Sequence, residues 1–386
     1  MHWLALLASM AGIAATALIT GILIGHRKTW PFSLLQRLAH QLRARRRPSA
    51  DVPPPSPAGF SIRFETRAEA LAIRQRLRDF IWQPGSPPAP RPLDLEPSDI
   101  GRLFGLGAAI DIRQGRLQMD HGVDSRVVVF RPRQRTREVA VIYQQGHEGP
   151  IRHGREVIAA LVRAGYPVAA LAMPLLGGNA QPVVELPGHG RVRLTEHDWF
   201  WFVDHAFGGS SIRFFVEPVL SALVTLQAAG ARRIAMLGWS GGGWTTSLCA
   251  AIEPRIDLSF AVAGSLPFNS RTTRELSDYE NHVPALYDIA NYPELYALGA
   301  LEPGRRATQV LNRFDTVAWH GERGRLHEAS VASALTRIGG GRFDARIDAP
   351  WVGHGISRDM LTQILCELDR WDQALRNPAP ATAGHT

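Results

Sequence analysis

Residues 234–244 read Ile234-Ala235-Met236-Leu237-Gly238-Trp239-Ser240-Gly241-Gly242-Gly243-Trp244. A short apolar run, then a serine bracketed by glycines, then the uncharged opening of a helical segment predict a strand, a sharp reversal and a helix. Gly238-Trp239-Ser240-Gly241-Gly242 matches G-x-S-x-G, a pentapeptide that carries little weight alone in a chain with 36 glycines. Its setting gives it weight. Glycine on either side of the serine permits a close backbone reversal, and the hydroxyl then emerges at the carboxyl edge of a sheet. Doubly wound sheets bind their ligands at that edge.

Working outward, strand and helix alternate. Strands are expected at 108–112 and 117–120, around a Gln114-Gly115 turn, and at 126–131, 139–143, 168–172, 233–237, 258–264, 309–312 and near 346–347. Helices are expected at 155–164, stopped by Gly165, and at 215–229, 244–252 and 359–375. Short apolar strands separated by helices imply parallel pairing buried on both faces, hence a doubly wound, mostly parallel sheet. No repeat of fixed period interrupts the pattern.

A serine hydroxyl is a poor nucleophile unless a base takes its proton, and in this arrangement the chain order should be serine, acid, histidine. Asp315 follows the strand at 309–312, in Asn312-Arg313-Phe314-Asp315, and His354 lies in Val352-Gly353-His354-Gly355 after the last strand. Both fall at the same sheet edge as Ser240. Asp278, in the loop after the strand at 258–264, is the alternative acid, whereas Asp344 and Asp348 read as edge or surface residues. His320 and His327, on a polar stretch, read as solvated.

From Val127 to the closing helix, about two thirds of the chain, these residues resemble an α/β-hydrolase of the esterase and lipase type. The resemblance implies Ser240 as nucleophile, His354 as general base and then acid, and Asp315 as the group that orients the imidazole. It implies an oxyanion hole with one donor from the backbone amide of Gly241 and a second from the loop Gln144-Gln145-Gly146-His147-Glu148-Gly149. Many relatives carry His-Gly where this chain has Gln145-Gly146, so the amide of His147 is taken as the second donor, with Gly146 supplying the bend. The His147 and Glu148 side chains are expected only to shape the loop.

The catalytic domain is expected over 103–378, with cap insertions at 174–214 and 269–306. Trp199-Phe200-Trp201-Phe202 in the first insertion and Tyr279, Tyr287, Tyr292 and Tyr296 in the second suit either the wall of an acyl pocket or ordinary packing. His197-Asp198 offers two metal ligands without a third, so no metal and no cofactor is expected. The reaction implied is cleavage of a carboxylic ester through an acyl-enzyme. Gly-Trp-Ser-Gly-Gly-Gly also suits a prolyl-oligopeptidase-like peptidase, although between the proline-rich spacer, 48–57, and Leu103 there are too few residues for the propeller such peptidases usually carry. Thioesters and lactones need the same parts, and a hydrolase-fold binding protein without activity stays open.

Charge and composition place the rest. The 386 residues are 45% apolar and 20% charged, which excludes disorder throughout. Cys249 and Cys366 cannot form a disulfide framework and read as small buried hydrophobes on helices. Of the net charge of +8, seven bases sit in residues 1–50, where no acid occurs, and the body is almost neutral. No basic stripe for nucleic acid is visible. Residues 3–25 are uncharged and end before His26-Arg27-Lys28; at about 1.5 Å per residue they span about 35 Å, enough for a bilayer. With no basic n-region, and with the run ending in Leu23-Ile24-Gly25 rather than in Ala-x-Ala, residues 1–28 are expected to be an uncleaved single-pass transmembrane anchor. The flanking charge predicts a cytoplasmic body. Residues 29–58 follow as a basic amphipathic segment, 31–47, with Leu34, Leu35, Leu38 and Leu42 on one face, and a proline-rich spacer, 48–57. Residues 59–102 form a lead-in segment, where Thr66 and Glu69 make a capping-box signature for a helix to Trp82.

Overall fold

The computed structural model describes residues 60–83, 89–134, 137–271, 278–319 and 321–376. The expected span at 3–25, the amphipathic segment, the spacer and His320 lie outside the described residues. Among the described residues no helix is long and apolar enough to cross a membrane.

In chain order the elements are α1 (Arg67–Trp82), β1 (Glu96–Pro97), β2 (Ile110–Gln118), β3 (Asp124–Pro132), β4 (Val139–Gln144), α2 (Arg155–Arg163), β5 (Val168–Leu171), β6 (Val183–Leu186) and β7 (Gly190–Arg193). They continue with α3 (Trp199–Phe207), α4 (Arg213–Ala228), β8 (Arg233–Trp239), α5 (Gly241–Ile252), β9 (Ile256–Val262), α6 (Pro284–Ile289) and α7 (Tyr292–Gly299). The last are β10 (Arg306–Phe314), α8 (Arg325–Arg337), β11 (Arg342–Val352) and α9 (Arg358–Arg376). Nine strands form one sheet in the order β1-β2-β3-β5-β4-β8-β9-β10-β11, and β6 and β7 form a separate antiparallel pair. From β5 to β11 all neighbours are parallel, while β1, β2 and β3 join antiparallel at one side.

Strand periodicity explains why the sheet is buried twice. Alternate residues point to opposite faces. Val127, Val129, Ala140, Ile142, Ile234 and Met236 enter one core with α1, α4, α5, α7 and α8. Val128, Phe130, Val141, Tyr143, Ala235 and Leu237 enter the other with α2 and α9. The helices therefore flank both faces, as the alternating pattern implies. The strand order reverses at β4, which lies between β5 and β8. Crevices form at such reversals, outside the carboxyl ends of the strands.

The lead-in helix forms as its capping box predicts: Thr66 Oγ1 accepts from the Glu69 amide, and the Glu69 carboxylate accepts from the Thr66 amide. Ile73, Leu77 and Ile81 enter the first core. Arg74, also buried, donates through Nε to the Ala251 carbonyl at 2.8 Å and through Nη2 to the Leu298 carbonyl at 2.9 Å, and it pairs with Glu302. The helix thus belongs to the same compact unit as the sheet.

Three expectations need correction. Gln114-Gly115 is not a turn; both residues lie inside β2, and the β2–β3 reversal falls at His121 and Gly122, with φ of 57° and 73°. Gly115 serves instead as a site of close approach, because a Cβ there would lie 2.9 Å from the Asp94 carbonyl oxygen. Cys366 is exposed on α9, whereas Cys249 is buried as expected. His327 is fully buried rather than solvated; on α8, its ring lies 5.1 Å from that of Tyr296, and its Nε2 pairs with Gln309 Oε1 at 2.8 Å.

Candidate active site

Ser240 links β8 to α5 with φ 57° and ψ −128°, a conformation that non-glycine residues seldom adopt and that costs on the order of 1–3 kcal/mol. The surroundings hold it there. Its amide donates to the Val262 carbonyl at 2.9 Å, and its own carbonyl accepts from the amides of Gly243 at 2.8 Å and Trp244 at 3.1 Å. The flanking glycines make the reversal possible by leaving space. A Cβ on Gly146, in the loop after β4, would stand 2.6 Å from Ser240 Cβ, and a Cβ on Gly242 would stand 2.9 Å from the Gln145 carbonyl oxygen. The loop after β4 therefore lies directly against the serine. Gly241 opens α5, and first-turn amides have no intrahelical acceptor.

Asp315 follows β10 directly and His354 follows β11; β10 and β11 pair through Phe314 and Val352. His354 Nδ1 lies 3.0 Å from Asp315 Oδ1 and 2.9 Å from Oδ2. The carboxylate is enclosed and also accepts from the amides of Val317 at 2.9 Å and Ala318 at 3.1 Å. Asn312, wholly buried, was not singled out by the sequence. Its Nδ2 donates both to Asp315 Oδ2 at 3.2 Å and to the Gly355 carbonyl at 3.0 Å, and so fixes the acid relative to the histidine loop. The amide of Gly353 adds a bond to the Phe314 carbonyl at 3.2 Å.

With Nδ1–H directed at the carboxylate, the neutral imidazole presents a lone pair at Nε2. That nitrogen is buried and has no hydrogen-bond partner among the described residues. The indole of Trp239, the residue before the serine, lies 5.5 Å from the imidazole between ring centres. No hydrogen bond joins the Ser240 hydroxyl to His354 Nε2. Catalytic hydrogen bonds are commonly long before substrate binds.

The other acids part from this site. Asp278 lies 3.1 Å from His147 Nε2 rather than beside His354. Asp344 pairs with Arg342 and Arg346 on β11. Asp348 is on the same edge strand but buried, opposite Asn312 in register.

The His147 side chain does more than shape its loop. Its Nε2 lies 2.8 Å from Glu280 Oε1, and the other oxygen, Oε2, lies 3.1 Å from His197 Nδ1. His197 and Glu280 are fully enclosed. Burial pushes the Glu280 carboxyl up, but the His197 and His147 imidazoles outweigh it and hold the group well below the usual carboxylate range. Burial draws His147 down, and Glu280, then Asp278, more than reverse this, so its pKa is raised. The sequence paired His197 with Asp198; in space its partners come from two other loops.

Most of the aromatic residues are packing. Phe200 is buried with His197, Phe214 and Phe215. Tyr287 accepts from Trp244 Nε1 at 2.7 Å and meets the Tyr292 hydroxyl at 2.6 Å, which seats the second insertion on α5. Trp201 and Phe202 remain exposed.

No protein-family model matches the sequence, and no curated protein sequence does. The structure is similar to that of acetyl xylan esterase 1 from Thermoanaerobacterium sp. JW/SL YS485, with a TM-score of 0.50 and 16% identity over 78% of this chain and 93% of that one. It is also similar to the glucuronoyl esterase from Solibacter usitatus, with a TM-score of 0.54 and 14% identity over 83% and 99% of the two chains. At such identities the likeness is one of fold, and the fold is that of the α/β-hydrolases.

Proposed function

We propose that the protein is a serine hydrolase that cleaves a carboxylic ester through an acyl-enzyme, and that its body is tethered to a membrane. One observation carries the catalytic reading: a serine sits in a strained strand-to-helix reversal, and at the same carboxyl edge of the parallel strands a histidine has its Nδ1 engaged by a buried carboxylate and its Nε2 without a partner among the described residues. The esterase activity in the names of both fold neighbours agrees with it.

In this reading Ser240 Oγ attacks the ester carbonyl carbon while His354 Nε2 takes the hydroxyl proton. The oxyanion is met by the amides of Gly241 and His147, each such donor contributing about 3–4 kcal/mol in comparable sites. As the intermediate collapses, the carbon–oxygen bond to the alcohol breaks and His354 returns the proton to the leaving oxygen. Water, deprotonated by the same nitrogen, then attacks the acyl-enzyme and frees Ser240. Asp315 keeps the ring in the tautomer that makes both transfers possible.

Labelling with a fluorophosphonate probe tests the assignment. The parent should label covalently, Ser240→Ala should not, and His354→Ala and Asp315→Asn should label at least about a thousand-fold more slowly. Persistent labelling of the Ser240→Ala variant would overturn the nucleophile. Turnover of short and long acyl esters, but not of aminoacyl amides, separates an esterase from a peptidase.

A further inference from the structure

A ring nitrogen from each of His147 and His197 and a carboxylate oxygen of Glu280 lie within 4.8 Å of one another. His147 comes from the loop after β4, His197 from the segment between β7 and α3, and Glu280 from the segment before α6. We propose that these three groups, with Asp278 Oδ2 on the solvent side, bind a divalent cation of the zinc type that fastens the loop after β4 to both inserted stretches.

The lone pairs make the argument. His197 Nε2 lies 2.9 Å from the Pro174 carbonyl oxygen, which can only accept, so that nitrogen carries a hydrogen. In the neutral ring Nδ1 then turns a lone pair toward Glu280 Oε2, itself an acceptor, at 3.1 Å. A positive centre must join ring and carboxylate in this fully enclosed place: either a second proton on the ring or a cation bound to both. A bond from the outer ring nitrogen to a backbone carbonyl is also the usual support of a metal-ligating histidine.

Geometry and charge fit a small borderline cation. Zinc at about 2.0–2.1 Å from each ligand in tetrahedral array sets the ligands about 3.3–3.5 Å apart. The separations of 2.8 Å from His147 to Glu280 and 3.1 Å from His147 to Asp278 are close to that, whereas the widest pair among the three ligand atoms, up to 4.8 Å apart, must draw in by more than about 1 Å. Two imidazoles and two carboxylates favour zinc over magnesium or calcium, which prefer all-oxygen shells. The charge of the cation offsets that of Glu280 and Asp278. Phe200 and Phe215, with rings 5.8 Å and 4.9 Å from that of His197, close the inner side against water. The half-exposed Asp278 leaves a route of entry.

The inference stands whether or not Ser240 is a nucleophile, and its test does not read activity. The full chain, stripped with a strong chelator, is titrated with Zn2+ against a chromophoric competitor, and its thermal unfolding is followed with and without the metal. The expected result is one tightly held equivalent per chain and a raised Tm. Glu280→Gln and His197→Gln should weaken binding by at least about a hundred-fold, and Asp278→Asn by about ten-fold or more. Should the buried variants fail to fold, Asp278→Asn at the rim decides, because it should reduce both affinity and the Zn2+-induced rise in Tm. Absence of a tight equivalent, an unmoved Tm, or unaltered affinity in Asp278→Asn and the buried variants would overturn the site and leave imidazolium–carboxylate pairs held by protons alone. Fluorophosphonate labelling of the same preparations separates that failure from failure of the hydrolase reading.

Discussion

Ser240, Asp315 and His354, the residues proposed to carry the reaction, could be singled out in the sequence because each is marked locally, by glycines around a reversal or by position just beyond a strand. His147 was singled out for its backbone amide, but the link of its side chain to Glu280 was not, since that contact joins positions 133 apart and leaves no local period. His327 shows the opposite error. Its polar neighbours suggested water, yet α8 turns it inward against Tyr296 and Phe343. Burial alone draws its pKa down to about 3. Below the ordinary histidine value near 6.5 the unfolded chain takes up a proton that the folded one refuses. The stabilisation present above 6.5 is therefore lost as pH falls toward 3. Going from pH 7 to pH 5, this histidine should remove about 2 kcal/mol of unfolding free energy. Urea unfolding of His327→Gln at the two pH values should show that much less acid sensitivity than the parent; an equal loss in both proteins would refute it.

Elements were read more securely than their ends. Strands β3, β4, β5 and β8 to β11 were anticipated, whereas β1 was not and β2 was expected as two strands; β9 begins at Ile256 rather than 258, and α5 begins at Gly241 rather than 244, because glycines there fold as helix when the packing requires it. Gly115 misled because a glycine in an apolar run signals either a turn or a close approach, and here the neighbouring chain at Asp94 decides. The join between α1 and the body was recognised as packing, but its polar part was hidden. Arg74 and Arg305, both buried, share Glu302. Replacing one member of such a group leaves charge uncompensated, so Glu302→Gln should cost about 2–4 kcal/mol, less than a wholly enclosed pair because Glu302 keeps some exposure. Equilibrium unfolding in urea measures it, and a change below about 0.5 kcal/mol would mean that the carbonyl bonds of the two arginines suffice.

At the scale of the whole molecule, the doubly wound body followed from alternation alone, while the seating of the two inserted stretches did not, since the tyrosines that seat the second form contacts with no repeat in sequence. The tether rests on the sequence. If residues 3–25 span a bilayer with the basic flank inside, a reporter that is active only in the cytoplasm should work when fused after Arg47. Activity confined to an externally folding reporter at the same joint would reverse the orientation. Every residue of α5 is enclosed, from Gly241 to Ile252, and the helix has no wetted side on which a neutral exchange could settle. Adaptation to a new substrate would then have to begin elsewhere, in the stretch that carries Trp201 and Phe202, whose rings still meet water and can be traded without unseating the serine.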